Sequence, residues 1–424
     1  MKLTSQLSFV ALVSMILLGG CEKNEKYNPE EVFATIDTDN WNPSYQGFAI
    51  IENQESVPVF SELTRGQECI LKRGEEISGD RVNLHLLNIL KDPQNELISW
   101  TLYSFLDINP GTNVDLYSVF NPGSGVSTSP ARRIGNIIFT DIPPFEIVTR
   151  SANNQRHCHT QNTLQVPCAQ PGYDGYFSGT SFYVCLQQGE EAGYKLVDIP
   201  DESLAEYEIS LGGLNNDMSG YIIPKDPLNQ TDIDITAHGS KGSIEIFALH
   251  DQAVFPDNEV EVFVPDGLPQ MSSFTTTYVR TSSTDRMQKS TYHSETVATG
   301  SSFLDAGLMV NHVQGSMPSI SHNTEGFTQL LTEISGNDQI GDWKIVHPDA
   351  SGLYIPELPD EVLQAISSGF SLSSQMSDVG IIRVTAIEDS RWQDYNDSVE
   401  QTLDPGSFSE DDYSRLSDRK LYDP

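Results

Sequence analysis

The stretch of this sequence that comes nearest to nucleophilic chemistry is His238-Gly239-Ser240-Lys241-Gly242, where a serine follows a histidine across one glycine. A serine hydrolase sets its activated serine on a tight strand-to-helix turn, with a base and an acid in reach. Here the first glycine of Gly-x-Ser-x-Gly is missing, and the flanking alternation reads as strand joined to strand, so a hairpin tip is expected. The nine histidines (His85, His157, His159, His238, His250, His293, His312, His322 and His347) are scattered, and neither His-Glu-x-x-His nor Gly-x-x-x-x-Gly-Lys-Ser/Thr occurs. His157-Cys158-His159 with Cys168 offers metal-binding atoms, but neighbours on extended chain point to opposite sides, so no metal site is expected there. Asp232 and Asp234 share a strand face and read as solvated charges. In a chain with 60 acidic residues, paired carboxylates say nothing about glycoside chemistry. No catalytic residue, metal or cofactor is expected, and the protein reads as non-catalytic.

The residues that do point to chemistry stand at the start. Lys2 supplies a positive charge, Leu7 to Leu18 is apolar apart from Ser8 and Ser14, and Gly19-Gly20 precedes Cys21. Residues 1–20 read as a secretory signal peptide, too short and wrongly flanked for a membrane span. The ending Leu18-Gly19-Gly20-Cys21 resembles the lipobox of bacterial lipoproteins. That resemblance implies that Cys21 becomes the first mature residue and carries lipid, palmitate included, on its sulfur and amine. Each buried CH₂ of an acyl chain contributes about 0.8 kcal/mol, and two or more chains anchor stably where one does not. No second apolar run reaches the ~18 residues a span needs. In the resembled family an Asp after the cysteine retains the protein at the inner membrane. Glu22 stands there instead, which implies the outer membrane.

The formal charge of −36 repels nucleic acid and anionic headgroups, so neither is an expected partner. Hydrophobic residues at 38% suffice for packed cores. Export makes disulfides the default for the cysteines left after Cys21. Three pairings of Cys69, Cys158, Cys168 and Cys185 exist. Cys158 with Cys168 closes a short polar loop, and Cys69 with Cys185 ties the start of the first domain to its end; this pairing is the expected one.

To position these residues, the chain offers short strands. Residues 21–44 are polar, with Asn-Pro at 28–29 and 42–43, and read as a lipidated tether that includes Asp37-Thr38-Asp39-Asn40. From residue 45 come strands at Val82–Ile89, Ile98–Phe105, Val114–Phe120, Ile137–Phe139 and Ile147–Thr149, separated by Asp92-Pro93, Asn109-Pro110-Gly111 and Asn121-Pro122-Gly123. Val82, Leu84 and Leu86 alternate with Asn83 and His85, which predicts one packed and one wet face. Asp198-Ile199-Pro200-Asp201-Glu202 reads as a boundary. A second series follows at 221–223, 232–237, 243–249, 260–264, 272–302, 326–332, 343–346, 353–355 and 381–387, with one short helix over 359–367. The expected architecture is all-β: two tandem β-sandwich (Ig/transthyretin-like) domains, 45–199 and 200–390, and an acidic tail, 391–424, in extended or disordered form. Trp100 and Trp343 are expected in cores. Trp41 and Trp392, in polar flanks, are candidates for partner contact, but packing back onto a domain is the expected fate of each.

Gly341-Asp342-Trp343-Lys344-Ile345-Val346-His347-Pro348 followed by Leu353-Tyr354-Ile355-Pro356-Glu357-Leu358-Pro359 is similar to the closing strands of β-sandwich modules in bacterial surface lipoproteins. Ile137 to Pro144 is a looser instance. The resemblance implies a sandwich whose core is plugged by Trp343. The functional expectation is a lipid-anchored cell-envelope protein that binds or scaffolds an envelope protein or glycan without catalysis. A carbohydrate- or peptide-binding lipoprotein serving an outer-membrane transporter is one alternative. A hydrolase whose site converges from distant loops is the other.

Overall fold

The computed structural model describes residues 28–423, apart from short breaks and the longer stretches 121–131, 142–145, 152–174, 199–203, 225–229, 250–258 and 406–411. The first strands are β1 (Val32–Asp37), β2 (Tyr45–Glu52), β3 (Val59–Leu63), β4 (Cys69–Lys72), β5 (Val82–Lys91), β6 (Leu97–Ile108) and β7 (Thr112–Asp115), the last running into helix α1 (Leu116–Phe120). Then come β8 (Arg132–Thr140), β9 (Glu146–Ser151), β10 (Gly175–Phe177), β11 (Ser181–Gln188), β12 (Glu191–Asp198), β13 (Leu204–Ser210) and β14 (Met218–Pro224). Next are β15 (Gln230–Gly239), β16 (Gly242–Leu249), β17 (Glu259–Pro265), β18 (Met271–Ser282), β19 (Arg286–Ser294), β20 (Met309–Asn311), β21 (Ser319–Ser321), β22 (Gln329–Gly336) and β23 (Gly341–His347). The chain closes with α2 (Asp360–Ile366), α3 (Leu372–Gln375), β24 (Val379–Asp389), α4 (Tyr395–Leu403) and β25 (Tyr413–Tyr422). The architecture is predominantly β, and no helix among the described residues is long and apolar enough to cross a membrane.

One 12-stranded sheet dominates, in the order β16-β15-β18-β19-β25-β24-β22-β23-β6-β5-β2-β3. Its pairings are antiparallel except β23 with β6, where Gly341 faces Trp100 and Ile345 faces Ser104. The sheet draws strands from both sides of the boundary read at residues 199–200, so β6 and β23 meet across more than 200 residues of sequence. Such a pairing leaves no local signature, because each strand alone has the same alternation it would show beside any neighbour.

Successive strand residues point to opposite faces, and here both faces find cover. On the packed face, Ile50, Leu87, Ile89, Leu102, Trp343, Ile345, Ile382 and Val384 lie under the segments 304–320 and 353–376, which add Leu308, Ile320, Leu358, Val362 and Met376. The same face of β15, β16 and β18 packs Ile233, Ile235, Ile244 and Tyr278 with Tyr183 and Tyr194. On the opposite face, Ala49, Ile51, Leu84, Leu86, Tyr103 and Phe105 pack against the β4-β1-β7 sheet, α1 and α4. Beyond that cover the described residues leave this second face open: Thr275, Thr277, Lys289, Thr291 and Arg415 stand half-buried or exposed.

Several expectations change. The tether contributes β1, which pairs antiparallel with β4 and parallel with β7, and Thr38 holds the carbonyls of Thr64 and Gln67 at 2.8 and 2.9 Å. The residues expected as an acidic tail form α4 and β25, which lies between β19 and β24 in the large sheet. Val114–Phe120 divides into β7 and α1 rather than continuing as strand, and Leu353–Ile355 runs without a strand partner. Trp41 and Trp392 pack back into the fold as expected and are buried, Trp41 against Gly47, where a Cβ would come within 2.6 Å of the indole. The hairpin expected at residues 238–242 forms, with Gly239 facing Gly242, and the 272–302 stretch supplies β18 and β19.

An irregular segment, 296–308, is strapped across the packed face by side chains rather than by a strand ladder. Tyr278 donates to the Ala298 carbonyl at 2.6 Å, Gln288 to the Leu304 carbonyl at 2.5 Å, and Ser290 to the Ser302 carbonyl. Asp418, fully buried, accepts the Ala306 N–H at 2.8 Å and a two-pronged contact from Arg286 at 2.8 and 2.6 Å.

Candidate functional site

The most developed polar constellation among the described residues crosses four adjacent strands on the packed face. Glu52 ends β2, His85 and Asn83 sit on β5, Ser104 on β6 and Trp343 on β23. Register aligns them: His85 lies directly opposite Ser104, Asn83 opposite Glu52, and Trp343 one step diagonally from Ser104. His85 Nε2 meets Glu52 Oε1 at 2.9 Å, and His85 Nδ1 meets Ser104 Oγ at 2.8 Å. Trp343 donates its indole N–H to the same Ser104 oxygen at 2.9 Å. Asn83 Nδ2 donates to Glu52 at 3.1 Å, and the Tyr354 hydroxyl donates to Glu52 from the covering segment.

The indole can only donate, so Ser104 Oγ accepts from Trp343. The Glu52 carboxylate can only accept, so His85 Nε2 carries a hydrogen and donates to it. Burial pushes the Glu52 carboxyl up, but the hydrogen bond and charge of His85, with the bonds from Tyr354 and Asn83, outweigh it and hold the group below the usual carboxylate range. Burial and the Glu52 contact together raise the Tyr354 phenol far above its ordinary range.

Serine, histidine and acid in series are the parts of a hydrolytic triad, but the space is wrong. Ser104 and His85 are both 0% exposed. A nucleophile needs room about 3 Å from its oxygen for a carbonyl carbon, and donors for the oxyanion. Around Ser104 that room is filled by the Trp343 indole, and strands on both sides take up its backbone ladder. Taking these groups out of water costs several kcal/mol, which their mutual bonds roughly offset. What the arrangement does is lock the register of β2, β5, β6 and β23.

Sequence reasoning placed His85 on a wet face and did not connect it with Ser104 or Glu52. The missing signal was the cover: β5 is buried almost end to end, and only its length of apolar residues, Leu84 to Ile89 interrupted by His85 and Asn88, hinted at two packed faces. A second buried histidine, His347, ends β23 beside Thr332, whose hydroxyl meets Nε2 at 2.9 Å, while the Asp349 carbonyl accepts from Nδ1. Burial pushes this imidazole down to about 4, against the pull of Asp349.

A third row is partly exposed on the open face. His238 meets Ser243 and Thr275, each at 2.7 Å; Thr275 meets His293 at 3.0 Å; His293 stacks on Tyr413 at 5.4 Å. Arg391 lies over the Tyr413 ring at 3.8 Å and is gripped by buried Asp389 at 2.8 and 2.6 Å. Ser240, the serine of the expected hairpin tip, lies outside the described residues. Among the described residues no three His, Cys, Asp or Glu side chains converge to hold a metal ion.

Of the cysteines, Cys21, Cys158 and Cys168 lie outside the described residues, so the lipid site and the expected short loop bridge are not seen. The expected bridge from Cys69 to Cys185 does not form: Cys69 is a free, buried thiol. It belongs to the β4-β1-β7 sheet, whereas Cys185 belongs to β11 in the sheet ordered β12-β11-β9. Burial pushes the Cys69 thiol up, and a hydrogen bond from Ser61 opposes it. The pairing failed because it assumed that both ends of the first half share one domain.

No protein-family model matches this chain, and no curated protein matches it. Among solved structures the chain is similar to the "Crystal structure of tetra-tandem repeat in extending region of large adhesion protein", at 9% identity and a TM-score of 0.11, over 84% of this chain and 94% of the other. A likeness at that level carries no argument about fold or role.

Proposed function

We propose that the protein is a lipid-anchored component of the cell envelope, held at the outer membrane through Cys21, that works by binding or scaffolding and not by catalysis. The observation that carries the non-catalytic half is the closure of Ser104. The one serine–histidine–acid series among the described residues has its oxygen saturated by Trp343 and His85, with no exposed surface. The anchor half rests on the Leu18-Gly19-Gly20-Cys21 ending and its resemblance to a lipobox. A broad sheet with one long open face suits a binding role, because it presents many side chains on a rigid plane.

The test is a fluorophosphonate probe, which labels activated serines. Incubated with the native protein, it is expected to leave Ser104 and every other serine unlabelled. Stoichiometric labelling of any serine, lost on its replacement by alanine, would restore the hydrolase alternative.

A further inference from the structure

The open face carries an unbalanced cluster of cations on a chain whose net charge is −36. Lys289 on β19, Arg415 and Arg419 on β25, Arg383 on β24 and Lys344 on β23 all point to it, since Gln288, Ser290, Leu416, Asp418, Ile382, Val384, Trp343 and Ile345 occupy the packed side. Register makes them neighbours. Lys289 faces Ser417, midway between Arg415 and Arg419; Arg419 faces Thr385, diagonal to Arg383; Arg383 faces Glu333, which faces Lys344. Adjacent strands are about 4.8 Å apart and diagonal neighbours about 7–8 Å, so the group forms one patch.

Among the described residues Glu333 is the carboxylate in ion-pair contact with them, at 3.0 Å from Arg383 and 4.0 Å from Lys344, which also donates to the Tyr103 hydroxyl at 3.0 Å. Two more carboxylates stand on this part of the face: Asp389, directly opposite Arg415, is held by Arg391, and Asp342 on β23 accepts from the Ser335 hydroxyl. Lys289, Arg415 and Arg419 form no ion pair among the described residues, although Arg415 lies over the Trp392 ring at 5.3 Å, and Arg383 Nε is buried without a hydrogen-bond partner there. Arg419 reaches a methionine sulfur, Met287 Sδ, at 3.3 Å, a weak acceptor for a guanidinium. Burial, then repulsion from Arg383, pushes its guanidinium down. Beside the cations runs a plane of hydroxyls from Thr275, Thr277, Thr281, Thr291, Thr385 and Ser417.

We infer that this face of β18, β19, β25, β24 and β23 binds an acidic glycan, its carboxylate or sulfate groups taken by Arg383, Arg415, Arg419 and Lys289 and its sugar hydroxyls by the threonine plane. The inference deepens the binding role proposed above and rests on it. Planar guanidinium forks match carboxylate and sulfate oxygens two at a time, and charge-assisted bonds are about twice as strong as neutral ones. A hydroxyl-rich flat surface beside them fits a polyhydroxylated chain better than a lipid surface, which offers headgroups without a row of hydroxyls. The global negative charge is screened beyond about 8 Å at physiological salt, so it does not cancel a contact made at the patch.

The test uses the detergent-solubilised full chain and a fluorescent oligogalacturonate hexamer, with a neutral glucan hexamer and phosphatidylglycerol vesicles as the other arms. Saturable binding of the acidic hexamer is expected, weakening with salt, and falling roughly tenfold or more in the exposed-face variant K289E/R415E/R419E. Circular dichroism and a melting curve establish that the variant is folded; the single variant R419Q, expected to lose a smaller part of the affinity, serves if it is not. The assignment is overturned if the acidic hexamer does not bind, if the neutral hexamer binds equally, if the variants bind as well as the native chain, or if the vesicles alone compete for these residues. An uncleaved but unbound hexamer sinks the glycan face and leaves the envelope role standing. A cleaved hexamer, seen by mass spectrometry, sinks the non-catalytic reading instead.

Discussion

The indole N–H of Trp343 and the hydroxyl oxygen of Ser104 lie 2.9 Å apart, on parallel strands drawn from opposite halves of the chain. That contact both closes the hydrolase-like series and joins the two halves. Ser104→Ala leaves the indole N–H and His85 Nδ1 without partners in a dry site, and each buried orphan costs about 1–3 kcal/mol. Urea unfolding of the variant is expected to show a loss in that range with the slope unchanged. An unaltered midpoint would mean the network contributes nothing to folding.

Gly341 begins β23 directly under the Trp100 ring, and a Cβ there would overlap the indole carbons and nitrogen. Trp100 is 4% exposed and packs edge-on against Phe370 at 5.3 Å, so it has little room to yield. Gly341→Ala is expected to destabilise by about 3 kcal/mol through overpacking. Trp100→Phe in the same chain should recover part of the loss, as judged by the thermal midpoint of the double variant against each single.

Acid weakens the fold through two buried groups. His347 is neutral when folded and its pKa is pushed down to about 4 from 6.5, so the unfolded chain takes up the proton first. Stability is therefore full above about pH 6.5 and falls as pH drops toward about 4, by about 3 kcal/mol in all. Glu52, held below its usual range, adds a further loss at lower pH as it is protonated and releases His85 and Tyr354. His347→Gln should flatten the stability profile between pH 6.5 and 4; an unchanged slope would assign the acid response elsewhere.

The strap 296–308 hangs on Asp418. Asparagine there leaves Arg286 with exposed Asp305 as its remaining ionic partner and one amide oxygen to serve both Arg286 and the Ala306 N–H. Asp418→Asn is expected to cost about 3 kcal/mol, the scale for breaking a buried pair. Hydrogen exchange should speed at residues 302–308 before it does in β5 or β6. Uniform exchange across both regions would contradict a local role.

What could be read from the sequence was local. Alternation located most strands, the Gly239–Gly242 hairpin and the helix after Pro359. Trp100 and Trp343 were legible as core because they interrupt strand patterns. Partners far apart in sequence were not legible: Cys69 was tied to Cys185, and β25 was counted as tail because its open-face residues Arg415, Ser417 and Arg419 and its buried Asp418 made it look uniformly polar. The same strand supplies two arginines of the basic face, so the composition that hid its fold also hid its candidate role. The Glu52–His85–Ser104 series was invisible because strand pairing, not spacing, assembles it.

The most direct measurement is the mass of the amino-terminal peptide from the membrane fraction of cells making the native protein. The proposed anchor requires a peptide that begins at Cys21 and carries acyl chains on its amine and sulfur. A peptide with unmodified Cys21, or one still bearing residues 1–20, would contradict it.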